Sequence, residues 1–343
     1  MERGVILVRD DQAVVDLRGS PMEILIATSS FGKHSAEPLD LLKSNGLDIK
    51  TNPLERPLTE EEVVRLAGGC VGIIAGTEPY SESNLSRLPQ LKTISRCGVG
   101  LDGIDLDTTR KMGISVTYTP EAPTQAVAEL TLGLILGLVR HIGSSNVQIK
   151  KGAWKKQMGR LLEELCIGVI GLGRIGRRVA GLLRGLDVRV IGCDIQPDHS
   201  WAHRNGVGIV GKEEVLRESD VLCLHLPYSK EAHHLIGENE MKIMKAGSFL
   251  VNASRGGLVD EDALYYALKS GQLAGAALDT FEREPYEGPL RELENVILTP
   301  HIGSYARAGR IKMEIEAAQN LLRELARLDA VAAEGKRLAE AKA

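Results

Sequence analysis

From Met22 onward, short runs of consecutive apolar residues alternate with longer stretches in which apolar positions recur every three or four residues. The short runs read as buried strands and the longer ones as amphipathic helices, so the pattern predicts β-α units around a parallel sheet. In the first half, strands are predicted at 24–27, 72–75, 93–95 and 115–117, with helices at 39–44 and 59–66 between them. The second helix opens with Thr59 and has Glu62 three residues on, the spacing of a capping box. Pro120 and Pro123 then interrupt the pattern before a helix at 125–141 that is apolar on nearly every side. Such a helix is buried all round. A dimer interface is the preferred reading, and a hinge helix between domains would show the same pattern. A second series follows, with strands at 166–170, 188–193, 221–226, 248–252, 275–278 and 296–299. An amphipathic helix at 307–325 comes next, and the Ala/Glu/Lys-rich remainder reads as a frayed or solvated helix. Residues 1–21 hold two short apolar runs, an added hairpin or an extension.

Two such series need two cores, and 343 residues are enough for two domains. The net charge of −4 gives no support for binding nucleic acid or an anionic membrane, which needs a basic face. The longest apolar stretch, 126–139, contains Glu129 and ends at Arg140, short of the ~20 residues a bilayer requires. The five cysteines are scattered, odd in number and without a C-x-x-C pair, which suits neither a disulfide framework nor a zinc site. They read as small buried hydrophobes in a reducing, cytoplasmic compartment. No metal is expected, and His233-His234 reads as a helix surface.

The sharpest local signal is Gly171-Leu172-Gly173-Arg174-Ile175-Gly176, directly after an apolar strand and directly before a helical run. In such a loop Gly171 permits the tight turn, Gly173 lets the backbone approach a pyrophosphate, and Gly176 allows close packing of helix on strand. Asp194 ends the next strand, where a carboxylate accepts hydrogen bonds from ribose hydroxyls and repels a 2′-phosphate, favouring NAD over NADP. Arg174 is read as a pyrophosphate contact. Arg204 and His199, beyond Asp194, are the residues that would take a 2′-phosphate in the alternative.

Three polar residues then stand at predicted strand ends: Arg255 after 248–252, Glu284 after 275–278 and His301 after 296–299. Ligands bind at the carboxyl ends of strands in open α/β sheets, so residues remote in sequence can converge there. Reduction of a 2-keto acid wants such a set. A guanidinium holds the carboxylate or carbonyl, an imidazolium protonates the oxygen as hydride arrives, and a carboxylate orients the imidazole.

The runs Val251-Asn252-Ala253-Ser254-Arg255-Gly256-Gly257-Leu258-Val259-Asp260, Ala277-Leu278-Asp279 with Phe281, Glu284 and Pro285, and Thr299-Pro300-His301-Ile302-Gly303 closely resemble the D-isomer-specific 2-hydroxyacid dehydrogenase family. Gly98-Val99-Gly100-Leu101-Asp102 and Ala126-Val127-Ala128-Glu129 match it too, and the likeness runs in order through nearly all of 22–325. The resemblance implies a Rossmann nucleotide domain at 120–299, inserted in a flavodoxin-like substrate domain formed by 1–119 and 300–343. It implies Arg255, Glu284 and His301 as the catalytic set. It also implies an NAD site lined by the glycine loop with Arg174 and Ile175, and by Asp194, Pro227, Ala253, Ser254, Asp279 and Gly303. The backbone of Gly98, Val99 and Gly100 would receive the substrate carboxylate, and homodimers through the nucleotide domain would be usual.

Within the family the chain is most similar to phosphoglycerate dehydrogenases. Arg96, beside the carboxylate loop, would hold a second substrate anion, with Lys33 as a further candidate for a phosphate or phosphonate. No regulatory domain is expected after residue 343, so feedback control by serine is not implied. The sequence departs from the family at Tyr228-Ser229-Lys230, where a Thr/Ser pattern is common, and at 161–165, which lacks a customary glycine. Glyoxylate or hydroxypyruvate reduction is the alternative activity, and an NAD(H)-sensing corepressor-like binding protein is the alternative of another class. Formate dehydrogenases carry glutamine where Glu284 stands.

Overall fold

The computed structural model describes residues 22–340, so the reading of 1–21 lies outside the described residues. The chain forms two α/β units: one joins the residues up to Ala122 with those from Arg307 onward, and the other is Pro123–Ala306.

In the first unit the strands β1 (Met22–Ile26), β2 (Leu47–Thr51), β3 (Gly72–Ala75), β4 (Thr93–Arg96) and β5 (Ser115–Tyr118) form one parallel sheet in the order β2-β1-β3-β4-β5. That is the flavodoxin-like order. Leu25, Ile73 and Ile94 face Leu58, Val63 and Ala67 on one side, while Ile24, Ile26 and Ile74 face Met313, Ala317 and Leu321 on the other. Burial on both faces is why the central strands read as continuous apolar runs. The capping box predicted at Thr59 is present, with Glu62 closing the start of the helix Glu60–Ala67. The helix Arg307–Glu340 continues through the Ala/Glu/Lys-rich remainder, so that segment takes the helical one of its two readings, as its strongly helix-forming composition favours. It is tied to the loop after β1 by a buried pair. Arg310 Nε donates to Glu314 Oε1 at 2.9 Å and Glu314 Oε2 accepts from Gly32 N at 2.9 Å. Arg310 donates further to the hydroxyls of Thr28 and Ser30.

In the second unit β6 (Cys166–Ile170), β7 (Arg189–Cys193), β8 (Val207–Ile209), β9 (Val221–Leu224), β10 (Ser248–Asn252), β11 (Leu273–Leu278) and β12 (Val296–Leu298) form a parallel sheet in the order β12-β11-β10-β9-β6-β7-β8. The chain winds one way from β6 to β8 and the other way from β9 to β12, so the switch point lies between β6 and β9. This is the Rossmann order extended by one strand. The helix Thr124–Val139 buries Ala128, Leu134, Ile135, Leu138 and Val139 against Ile167, Val169, Val179 and Leu183 of the same unit. Most of its apolar surface is covered within one chain, while Leu130, Leu132 and Leu136 stay partly exposed.

Candidate active site

The glycine loop follows β6 at the switch point. Gly171 has φ 92°, a left-handed conformation that disfavours any side chain, and its Cα abuts the carbonyl of His225 at the end of β9. A Cβ at Gly176 would overlap the Gly171 carbonyl oxygen, so helix and strand approach as closely as the sequence reading required. At Gly173 a Cβ would meet nothing within 4 Å. Arg174 opens the helix Arg174–Arg184 and is exposed, with Ile175 half-buried behind it. The N-terminus of this helix gives the loop a positive end suited to a diphosphate.

Asp194 stands just beyond β7. Its Oδ2 accepts from Leu172 N at 2.7 Å and its Oδ1 from Gln196 N at 2.9 Å, which fixes the carboxylate beside the glycine loop. Each oxygen keeps a second lone pair for a ribose hydroxyl. An open glycine loop at a helix N-terminus, with an acid at the next strand end, fits the pyrophosphate and ribose of NAD.

Asn252, the last residue of β10, organises the next segment. Its Oδ1 accepts from Ser254 N and Oγ at 3.1 and 2.9 Å, and its Nδ2 donates to the Arg255 carbonyl at 2.6 Å. Ala253 is buried within this turn, and the Arg255 guanidinium donates to the Ser254 carbonyl at 2.6 Å.

Asp279, at the end of β11, is buried and accepts from Thr299 Oγ1 at 2.6 Å, Ile302 N at 2.8 Å and Gly303 N at 2.8 Å. Burial pushes its carboxyl up, and the three hydrogen bonds and the His301 charge only partly offset this. These bonds bracket His301, which is held in the left-handed region at φ 53°. His301 Nδ1 lies 2.9 Å from Glu284 Oε2 and 3.1 Å from Oε1. Burial alone would raise Glu284. The His301 hydrogen bond and charge, the Phe281 N–H and the Arg255 guanidinium outweigh it and hold the carboxyl below its ordinary value. The three strand-end residues therefore meet in one electrostatic group.

Two features of this unit escaped the sequence reading. His225, at the end of β9 beside Gly171, is buried, and neither ring nitrogen has a hydrogen-bond partner among the described residues. Burial pulls it down to about 4. Only the strand order reveals that it sits at the switch point. His233-His234 is not on a helix surface: it follows a 3-10 turn, with His234 at φ 52° and its Nε2 2.6 Å from Glu282 Oε1. Pro227 is exposed at the start of that loop.

Arg96, Gly98, Val99 and Gly100 belong to the other unit, at the carboxyl end of β4. Arg96 Nε donates to the Gly100 carbonyl at 3.1 Å, and its Nη1 donates to that of Cys97. The guanidinium lies directly against Gly98, where a Cβ would come within 2.6 Å of Nη1, and the φ of 152° is one that side chains rarely adopt. Lys33 lies 3.5 Å from Glu55.

A parallel sheet in this order, with a glycine loop at its switch point and an acid after the neighbouring strand, defines a dinucleotide-binding α/β protein. The chain belongs to the D-isomer specific 2-hydroxyacid dehydrogenase family, whose NAD-binding-domain model matches residues 132–303. D-3-phosphoglycerate dehydrogenase of Archaeoglobus fulgidus is 35% identical over 88% of this chain, which spans 57% of that relative's length. Glyoxylate reductase of Thermococcus litoralis is 38% identical over 76% of this chain and 81% of its own. Among solved structures, D-lactate dehydrogenase of Aquifex aeolicus, complexed with NAD and lactic acid, superposes with TM-score 0.79 at 30% identity, covering 91% of this chain and 98% of its own.

Proposed function

We propose that this protein moves a hydride between NAD and C2 of a D-2-hydroxy acid or its 2-keto partner. The observation that carries the reading is the His301–Glu284 hydrogen bond, with the Arg255 guanidinium acting on the same carboxylate, in the unit that bears the glycine loop. Bound nicotinamide supplies the hydride acceptor or donor. With Nδ1 engaged by Glu284, His301 presents Nε2 to the substrate oxygen, giving a proton in reduction and taking it in oxidation. Glu284 orients the ring through Nδ1. Arg255 grips the carboxylate and polarises the carbonyl with paired N–H donors. Gly98, Val99 and Gly100 are assigned to the substrate carboxylate. Arg174, Ile175, Asp194, Pro227, Ala253, Ser254, Asp279 and Gly303 are assigned to NAD.

For the substrate we favour 3-phosphoglycerate or a related phosphorylated or phosphonate acid, with Arg96 near the second anion; glyoxylate or hydroxypyruvate reduction is the alternative. The test is NADH consumption across phosphorylated and unphosphorylated 2-keto acids, in wild type and Arg96→Ala. A phosphate preference that Arg96→Ala weakens supports the assignment, and full retention of it in the variant removes Arg96 from that role.

A homodimer through the nucleotide unit is supported by apolar side chains left exposed after the helix Thr124–Val139, above all Trp154 at 86% and Met158 at 93%. Five free cysteines suit a reducing cytoplasm.

A further inference from the structure

The loop that follows β9 ends in His234, which holds a left-handed backbone that side chains with a Cβ adopt rarely. Several contacts keep it there. Its N–H donates to the Gly257 carbonyl at 2.8 Å. Its Nε2 lies 2.6 Å from Glu282 Oε1 and its Nδ1 lies 3.7 Å from Asp260 Oδ2. Its ring stacks on His233 with centroids 3.9 Å apart, and His233 Nδ1 is 3.4 Å from the Tyr228 hydroxyl.

These partners come from the two segments that carry Arg255 and Glu284. Gly257 and Asp260 continue the turn begun by Arg255, and Glu282 stands two residues before Glu284. Glu282 N donates to Glu261 Oε1 at 2.7 Å, so both ends of Glu282 are anchored. Phe281 N, one residue earlier, donates to Glu284 Oε1 at 3.2 Å. The glycines make the joint possible. A Cβ at Gly256 would overlap the peptide between Phe281 and Glu282, and one at Gly257 would lie 2.8 Å from the Tyr228 ring.

We propose that His234 and Glu282 are a positioning pair that sets the spacing between the Arg255 turn and the Glu284 loop. The proposal rests on the reading of Arg255, Glu284 and His301 as the reacting group. Neither member of the pair touches substrate; each acts through the segment it holds. Both side chains are about one-third exposed, at 35% and 38%, so the pair contributes little to folding. Its effect is geometric, because a catalytic group displaced by about 1 Å can lose a hundredfold in rate. The account therefore requires turnover and stability to separate.

The experiment compares Glu282→Ala, Glu282→Gln and His234→Asn with wild type. It measures kcat and KM for the best 2-keto acid, NADH affinity by fluorescence, Tm, and amide exchange in 255–259 and 281–284. Glu282→Ala and His234→Asn are expected to lose about tenfold in kcat with KM, NADH affinity and Tm unchanged. Glu282→Gln, which keeps an acceptor for His234, restores most of that rate. Exchange in the two segments rises in Glu282→Ala while the core strands stay protected. Wild-type kcat in Glu282→Ala overturns the proposal, as does a parallel fall of kcat, NADH affinity and Tm, or a Gln variant no better than Ala. If wild type reduces no 2-keto acid, the functional reading fails, and amide exchange still decides the tether: unchanged exchange in Glu282→Ala overturns it.

Discussion

His301 Nδ1 and Glu284 Oε2 lie 2.9 Å apart although the residues are 17 positions apart in sequence and follow different strands. Glu284 is held below its ordinary range, so it stays ionised well into acid and keeps its bond to the ring. Glu284→Gln removes the carboxylate that orients His301 and should slow keto-acid reduction by about tenfold or more. The rate of NADH oxidation in the variant checks this, and a rate equal to wild type would remove the role. The same depressed carboxyl stabilises the fold above its unfolded value of 4.5, and that contribution fades as pH falls through its lower folded value.

The glycine loop tolerates no side chain at two of its three glycines. Gly176→Ala places a methyl into the Gly171 carbonyl, and Gly171→Ala adds a methyl against the His225 carbonyl in a left-handed conformation. Each substitution should destabilise the second unit by about 3–4 kcal/mol and abolish NADH binding. Gly173→Ala meets open space and should leave Tm unchanged while weakening NADH binding. Thermal melts and NADH fluorescence titrations separate the three.

His225 should remain neutral through the physiological range. Its folded value of about 4 lies below the ordinary 6.5, so the unfolded chain binds its proton first. The cost appears as pH drops below 6.5 and is complete below about 4, reaching about 3 kcal/mol. His225→Gln should flatten the pH dependence of stability in that window. Urea melts at a series of pH values measure it, and an unchanged slope contradicts the burial argument.

Arg310 and Glu314 form a pair that is almost wholly buried, with 6% and 0% of their side chains exposed. Removing one partner strands the other charge in the core. Arg310→Met should therefore destabilise the first unit by about 3–5 kcal/mol, read as a lower urea midpoint. Restoring charge balance with Arg310→Met/Glu314→Leu should recover part of that loss.

The central strands were legible because both sheet faces are covered, so Ile24-Leu25-Ile26 and Cys166 to Ile170 are apolar without interruption. The two strands that were missed, β2 and β8, are sheet edges. Leu47–Thr51 is buried only at Leu47 and carries Asp48, Lys50 and Thr51, and Val207–Ile209 is only three residues long, so neither leaves a run to detect. Arg255, Glu284 and His301 were legible as strand-end polar residues, and nothing along the chain gave their distances. Asp279 as the anchor of the His301 turn needed the fold, because its partners lie 20 to 24 residues away. His233-His234 looked like a helix face because adjacency in sequence carries no sign of a left-handed backbone or of a hydrogen bond with a residue 48 positions on.

The central claim is that His301 exchanges a proton with the substrate while NAD exchanges the hydride. The most direct measurement is NADH oxidation, followed optically, with the best 2-keto acid for wild type and His301→Ala at matched cofactor saturation. The account predicts turnover by wild type and a loss of about a hundredfold or more in the variant, with NADH affinity unchanged. Equal rates in the two proteins, or no turnover by wild type with any 2-keto acid despite tight NADH binding, would contradict it.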